Sequence, residues 1–377
     1  MILYTAVAML TVFLSHYVYR TPITTAYKMT RRQALSRACL IAVFTILFFL
    51  SFLRVEVGND YKNYAITCHE VWVNGYVVTE PGFNALVKII YTIAGHENYI
   101  LVFAVFAFVT IYLFLKTMYE DCVDFTGAFF LFMSLGYYFR TFNTVRYYLV
   151  LAVALFSMRY VNRGQYVRFF CWILAAALFH KSVLFVIPVY LTAVYVSKKW
   201  HYFIIMLAGG AVLALKEPIM GMMLKLYPSY EDTSYVEGTS GIIESLLNNA
   251  PALGQCILVL LLCLVCYKYI ENKKTYRVYF NLNVFALVMY VCGYYFPLLS
   301  RFTYYMIISH ILLVPGLVSE MEEGNKRKII KWIVIGVGIV YFLLFLRTAS
   351  VEGIRVLPYK TWIMDGMKEY LYYNEVS

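Results

Sequence analysis

The chain has 377 residues, of which 62% are hydrophobic and 14% charged, with a mean hydropathy of +0.69 and a formal net charge of +11. Soluble domains carry about 25% charge, so this composition excludes an ordinary water-soluble globular protein and points to a chain solvated by lipid. No internal repeat, low-complexity stretch or Gly/Ser-rich linker divides it, and residues 1–377 read as a single integral membrane domain.

In chain order, the stretch 2–19 is apolar, with no basic segment before it and no small-residue cleavage site. It reads as a spanning helix rather than a removed signal peptide. Further apolar segments follow at 38–53, 98–118, 127–139, 147–161, 169–179, 182–197, 202–215, 251–270, 278–297, 302–319 and 329–346. Residues 83–95 read as an extra interfacial or re-entrant helix, because Lys88 sits among its apolar positions. The expected fold class is an all-α polytopic integral membrane protein of about 11–13 membrane helices, several of them short or re-entrant.

Lys and Arg concentrate on cytoplasmic loops and so orient the chain. Arg20, Lys28, Arg31, Arg32 and Arg37 put the first loop inside. The run "FFCWILAAALFHKSVLFVIPVYLTAVYVS" at 169–197 is too long for one span of roughly 20 residues and too short for two full ones. Read as a hairpin with His180 and Lys181 at its tip, it leaves Lys198, Lys199, Lys268, Lys273, Lys274, Arg277, Lys326, Arg327, Lys328 and Lys331 inside. Lys216, Lys225, Arg301 and the basic residues of the tail then lie outside, whereas a single span would reverse the distribution. The outer surface holds loops 54–97 and 216–250 and a C-terminal tail, 347–377. Orientation and anionic inner-leaflet lipid account for the basic excess, which gives no reason to expect nucleic acid as a partner.

Three hairpin tips present cations to the outer face: Arg140 and Arg146 in "GYYFRTFNTVRYYLVLAVALF", His180 with Lys181, and Arg301 in "YYFPLLSRFTYY". Outer loops add Glu56, Asp60, Glu70 and Glu80 beside Arg54, then Glu217, Glu231, Asp232, Glu237 and Glu244 among tyrosines. Arg140 also fits a snorkelling interfacial role. Arg146, His180 and Lys181 favour function, since ionisable groups at membrane depth are costly. Asp60 in "GND" also fits turn chemistry, and Glu80 before Pro81 a helix-start carboxylate. Glu231 and Asp232 read as solvated loop charges.

The eight cysteines lie mostly in apolar segments and imply no disulfide framework, and "CLVC" at 263–266 reads as core packing. No metal-ligand spacing, nucleotide fingerprint or serine-nucleophile motif is present, so neither metal nor cofactor is expected. Guanidiniums and a lysine at a membrane surface suit a diphosphate, which stays at that level if it is lipid-anchored. Carboxylates and a histidine suit a general base on a sugar hydroxyl, and tyrosine-rich loops suit sugar rings. Together they describe glycosyl transfer from a polyprenyl-diphosphate donor on the outer face, with Arg and Lys stabilising the leaving group.

The strings "LRVEVGNDYKNY", "EPGFNAL", "FNTVRYYLVLAVALFS", "ALFHKSVLFVIPVY" and "VLPYKTW", in this order, resemble the EpsG family of bacterial polytopic proteins, related to Wzy-type polysaccharide polymerases. The likeness is closest over residues 54–190 and weaker toward the C-terminus. It implies a fold like that of the lipid-sugar-dependent GT-C glycosyltransferases. It also implies metal-independent polymerisation of exopolysaccharide, capsule or O-antigen repeat units carried on undecaprenyl pyrophosphate. The setting implied is the extracytoplasmic side of a bacterial plasma membrane, beside a chain-length regulator and a flippase. By position, the family's Gly-x-Asp-Tyr falls on Gly58, Asp60 and Tyr61, its Glu-Pro-Gly on Glu80 to Gly82 and its helix-initial Arg on Arg146. Its His-x-Ser step falls on His180 and Ser182, and its Pro-Tyr-basic on Pro358 to Lys360. One departure stands out: the family's Arg-Gln pair is Arg146-Tyr147 here, so a glutamine contact is absent or passes to Asn143.

The expected site therefore has Arg146, Arg301 and Lys181, with Arg54 or Arg140, on the diphosphate, and Tyr61 and Asn143 beside the substrate. Asp60, Glu80 or His180 is the expected base. A lipid-linked sugar transporter would instead spread ionisable groups along a pathway open to both faces, often with internal repeats. An O-antigen ligase shares the donor chemistry, and a membrane acyltransferase needs a His-Asp type pair that is not evident.

Overall fold

A computed structural model describes residues 1–20, 29–226, 242–295, 299–351, 353–361 and 363. Among the described residues helix accounts for 79%, and no strand forms beyond one isolated antiparallel bridge between Arg54 and Thr361. Helices suit lipid because each satisfies its own backbone N–H and C=O groups.

Local chemistry starts these helices. The first, α1, covers Ile2–Ser15. Thr30 caps α2 (Arg31–Phe52): its hydroxyl accepts from Gln33 N at 3.2 Å, and the Gln33 side chain accepts from Thr30 N at 3.0 Å. Next come α3 (Tyr61–Trp72) and α4 (Pro81–Ala94), the latter opening on a proline where a missing N–H costs nothing. Asn98 caps α5 (Tyr99–Asp121) and Asp124 caps α6 (Phe125–Ser134). A single turn, α7 (Tyr137–Arg140), leads to α8 (Val145–Asn162) and α9 (Tyr166–Ala177).

The chain forms two compact units. The first comprises Met1–Phe156, Cys171–Lys181 and Glu322–Ser377. There α2 runs against α5, with Phe44 and Phe48 edge-on to Phe108 at 5.2 and 6.0 Å. Tyr61, Phe83, Val87, Tyr91, Phe103, Phe106 and Val145 share one core across α3, α4, α5 and the start of α8. Val150, Leu151, Ala152 and Leu155 are wholly enclosed, as expected of a helix apolar on every side. The Asn325–Thr348 helix packs on α6.

The second unit comprises Ser157–Phe170 and Ser182–Met321, built around the Lys274–Cys292 helix. Asn281 in that helix donates to Ala193 O and Val196 O at 2.8 and 2.9 Å and accepts from the Tyr202 hydroxyl at 2.7 Å. Asn283 donates to Cys256 O at 3.1 Å. Buried amides hold neighbouring elements together where lipid-like packing alone is weakly directional.

Among the described residues, four helices are long and apolar enough to cross a membrane: Arg31–Phe52, Tyr99–Asp121, Leu299–Glu320 and Asn325–Thr348. The number rises to six if Lys199–Ala214 with Lys216–Met222, bent by 77°, and Ile242–Asn248 with Ala250–Val265, bent by 78°, each form one span. Other apolar helices are shorter, in keeping with the expected short or re-entrant membrane helices. Helices α1, α6 and α9 have 14, 10 and 12 residues, short of the roughly 20 needed to cross. The expected break in 169–197 does occur: α9 ends at Ala177 and a tight turn resumes at Lys181–Phe185. The expected outer loop 54–97 carries two helices, α3 and α4. Lys28, Glu231, Asp232, Glu237, Pro297 and the tail from 364 onward fall outside the described residues. The protein is an all-helical, multi-pass membrane protein.

Candidate functional site

Glu80 stands at the head of α4 in extended backbone, and its side chain makes no capping bond to the helix. Both its oxygens are used elsewhere. Oε2 pairs with Arg146 Nη1, and Oε1 accepts the backbone N–H of Lys181 at 3.1 Å. Gly82 allows this approach. Its N–H donates to Leu178 O at 2.8 Å, and a Cβ there would lie 2.7 Å from that same oxygen. The Glu-Pro-Gly turn is thus docked directly on the break after α9.

Arg146, in the first turn of α8, lies over two neighbouring aromatic rings, its guanidinium carbon 5.2 Å from the Phe83 ring centre and 5.7 Å from that of Tyr64, the two rings themselves 6.2 Å apart. Such contacts stabilise a cation that has left bulk water. The Arg146 and Glu80 side chains are 17% and 16% exposed, so the pair sits at a mouth rather than in the core. Arg146 Nε is buried with no hydrogen-bond partner among the described residues. His180 is half-buried, its ring 5.9 Å from that of Tyr147 and its backbone N–H on Ala176 O at 3.2 Å. Lys181 is exposed.

A second layer supports this mouth. Arg54 is 1% exposed and gives each of its three nitrogens to a backbone carbonyl: Nε to Val57 O at 3.3 Å, Nη1 to Ser51 O, and Nη2 to Phe142 O at 3.3 Å. The rings of Phe103 and Phe142 lie 5.0 and 5.1 Å from its guanidinium carbon. Gly58, at φ +100°, passes so close to the 142–143 backbone that a Cβ would lie 2.3 Å from Phe142 O. Asn143 Oδ1 accepts the backbone N–H of Asp60 at 3.1 Å. Residues 354–361 then close over the turn, with Gly58 N on Arg355 O at 2.8 Å and Val55 N on Lys360 O at 3.0 Å. The Tyr4 hydroxyl donates to Val356 O at 2.6 Å, and Glu56 pairs with Lys62 at 3.0 Å and Lys360 at 3.2 Å. Hydrogen bonding to Lys62, more than any other contact, holds the Glu56 carboxyl below its ordinary value.

The expected site residues separate into three groups. Glu80, Arg146, His180 and Lys181 meet around the start of α8, and Asp60 is tied to the same segment through Asn143. Arg54 and Tyr61 are enclosed in the core: Arg54 spends three N–H groups on backbone carbonyls, and Tyr61 is 3% exposed against Phe103 and Tyr99, at ring distances of 4.9 and 6.0 Å. Asn143 Oδ1 holds the Asp60 backbone. Arg140 is half-buried at the end of α7, and Arg301 belongs to the second unit, half-buried in the Leu299–Ile307 helix.

Sequence reasoning missed Tyr64 and Phe83, the two adjoining rings that Arg146 lies over. The signals were present: Tyr64 lies four residues after Asp60 on one face of α3, and Phe83 directly follows the Glu-Pro-Gly turn.

The five motif strings, separated by up to about three hundred positions, thus converge in the first unit, apart from Ser157 at the end of the third and the part of the fourth that follows Lys181. No curated protein and no solved structure matches the chain. The EpsG family model matches residues 37–361, a range that takes in these strings up to Thr361, and the chain belongs to the EpsG family.

Proposed function

We propose that the protein is a polysaccharide polymerase that joins oligosaccharide repeat units carried on a polyprenyl diphosphate, on the extracytoplasmic face. Family membership suggests a polymerase-like role. The observation that carries the finer reading is the partly exposed Arg146–Glu80 pair, its guanidinium over the Tyr64 and Phe83 rings, with the Lys181 backbone N–H on the same carboxylate.

In this reading the acceptor hydroxyl oxygen forms a bond to the anomeric carbon of the donor sugar as the bond from that carbon to the diphosphate oxygen breaks. The electron pair leaves with the diphosphate. Arg146 and Lys181 stabilise the charge that develops there, which matters most where water is scarce. The hydroxyl proton passes to a base. Both oxygens of Glu80 are already engaged, so Glu80 orients Arg146 rather than accepting the proton. The role falls to Asp60, whose carboxylate makes no capping bond to α3, or to His180 beside Tyr147. Arg301 and Arg140 are further candidates for the diphosphate, and an undecaprenyl carrier is the expected lipid. The bond exchange needs neither nucleotide nor redox partner.

The test is a gel of products formed by purified protein in nanodiscs from lipid-linked repeat units without nucleotide. The wild-type protein gives a ladder of lengthening chains, and Arg146→Ala gives none while remaining folded and inserted. Long chains from that variant overturn the assignment of Arg146. Separately, His180→Gln and Asp60→Asn identify the base by which of them removes the acidic limb of the pH–rate profile, the fall in rate as the base becomes protonated.

A further inference from the structure

Tyr64, on α3, reaches three other helices. Its backbone N–H donates to Asp60 O at 3.0 Å, which sets the two side chains one turn apart at the head of α3. Its ring lies 6.2 Å from that of Phe83, in the first turn of α4, and 6.3 Å and edge-on from that of Phe103 in α5. The guanidinium carbon of Arg146, in the first turn of α8, is 5.7 Å from the same ring centre. Packing of the ring fixes where its hydroxyl stands.

That hydroxyl lies within reach of two opposite charges. Burial lifts the Tyr64 phenol above its ordinary value, more strongly than any neighbour does. The Arg146 guanidinium opposes the rise through its charge, and hydrogen bonding from the Arg146 side chain and backbone opposes it further, while the Asp60 carboxylate adds to it. The phenol therefore keeps its proton at neutral pH. A guanidinium only donates, so toward Arg146 the phenol oxygen is the acceptor. The Arg146 backbone N–H lies in the opening turn of α8, where no carbonyl of the helix serves it. One hydroxyl thus bears on the main chain and the side chain of the arginine, in addition to the Glu80 carboxylate.

We propose that Tyr64 is a positioning residue of this site, holding the Arg146 guanidinium in the orientation in which it meets the departing diphosphate; this rests on the polymerase reading. Glu80 anchors the guanidinium through Nη1. A planar group held at one end still swings about that end, and a second contact at the Tyr64 oxygen removes the freedom. Fixed orientation matters because a donor already aimed at the place where charge develops has no reorganisation to make during the reaction.

The experiment uses the full chain in nanodiscs, with farnesyl diphosphate as a soluble diphosphate probe and lipid-linked repeat units as substrate. Tyr64→Phe keeps the ring and its packing, so the melting temperature stays close to wild type. Its affinity for farnesyl diphosphate falls about tenfold, the worth of one hydrogen bond to a charged group. In the Arg146→Ala background the same change has no further effect, since no guanidinium is left to hold. If Arg146→Ala is not inserted, Arg146→Lys takes its place in the cycle, because lysine keeps the charge and lacks the planar fork. In chain growth, Tyr64→Phe lowers kcat about tenfold and changes KM far less, as the charge on the diphosphate is complete only once the bond to the sugar has broken.

Wild-type affinity in Tyr64→Phe, or losses that add in the double variant, overturn the inference. So does a fall in melting temperature with affinity and kcat per folded molecule unchanged, which makes Tyr64 a packing residue alone. A wild type that grows chains, beside a Tyr64→Phe that grows them equally well, sinks the positioning role and leaves the polymerase reading standing. A wild type that shows the coupled diphosphate binding and grows no chain sinks the polymerase reading, while the hold of Tyr64 on Arg146 stands.

Discussion

Two arginines of the first unit look alike in sequence and do opposite work. Both border apolar helices beside family motifs, yet Arg54 is enclosed with its nitrogens on Ser51, Val57 and Phe142 carbonyls, while Arg146 stands at the mouth on Glu80. Their variants should therefore fail differently. Arg54→Leu strands three buried carbonyls, each worth about 1–3 kcal/mol, so folded protein is lost, read as a fall in melting temperature and yield. Arg146→Ala leaves the melting temperature close to wild type and removes the product. If Arg54→Leu is stable and inactive, Arg54 faces substrate after all. The sequence displayed the charge at both positions but not its enclosure, which depends on Phe103 and Phe142 arriving from distant helices. Asn143 was legible as special, but its task, holding the Asp60 backbone, belongs to a contact across 83 positions.

At the scale of elements, turns position the site. The head of α4 is docked by Gly82 N on Leu178 O, with no room for a side chain. Gly82→Ala should push Glu80 off the break after α9 and cut the polymerisation rate at least about tenfold, the equivalent of 1.4 kcal/mol, with little change in melting temperature. Unchanged kinetics would show that the docking is incidental. The turn at 54–60 has its own switchable contact. Glu56 is held below the usual carboxyl value of 4.5, chiefly by its hydrogen bond to Lys62. Its folded pKa is depressed, so its contribution is complete above 4.5 and is lost as pH falls through the lowered value. If this pair is irrelevant, hydrogen exchange at Gly58 and Val55 should match that of Glu56→Gln at every pH. The expected result is that protection in wild type exceeds that in the variant near neutrality and the two converge in acid. The lysines are half-exposed or more, so the difference should stay within about 1 kcal/mol. These turns were legible as Gly and Pro punctuation, whereas their docking partners were not.

For the molecule as a whole, composition was enough to identify a lipid-solvated helical chain, and the ordered motifs were enough to identify its family. Span number was not legible in the same way. An apolar run of 10–14 residues, such as α6 or α1, looks like a shortened span in sequence but is a packing element in the fold. Helix α8 has the length of a span and is enclosed by its neighbours, with Arg146 and Arg159 near its two ends. The candidate site was legible as a set of residues, and its geometry was not. No periodicity announces that Glu80, Arg146 and the Lys181 backbone share one ion pair.

The segment 354–361, which closes the turn before Asp60, has a consequence for the order of synthesis. Lys360 reaches Glu56 across 304 positions of chain, and Val356 meets Tyr4 across 352. A ribosome making this protein delivers the residues around Arg146 long before the piece that secures Asp60. The nascent chain therefore carries the turn at 54–60 unlatched through the making and insertion of every helix up to Thr348 and closes it only once residues 354–361 have emerged.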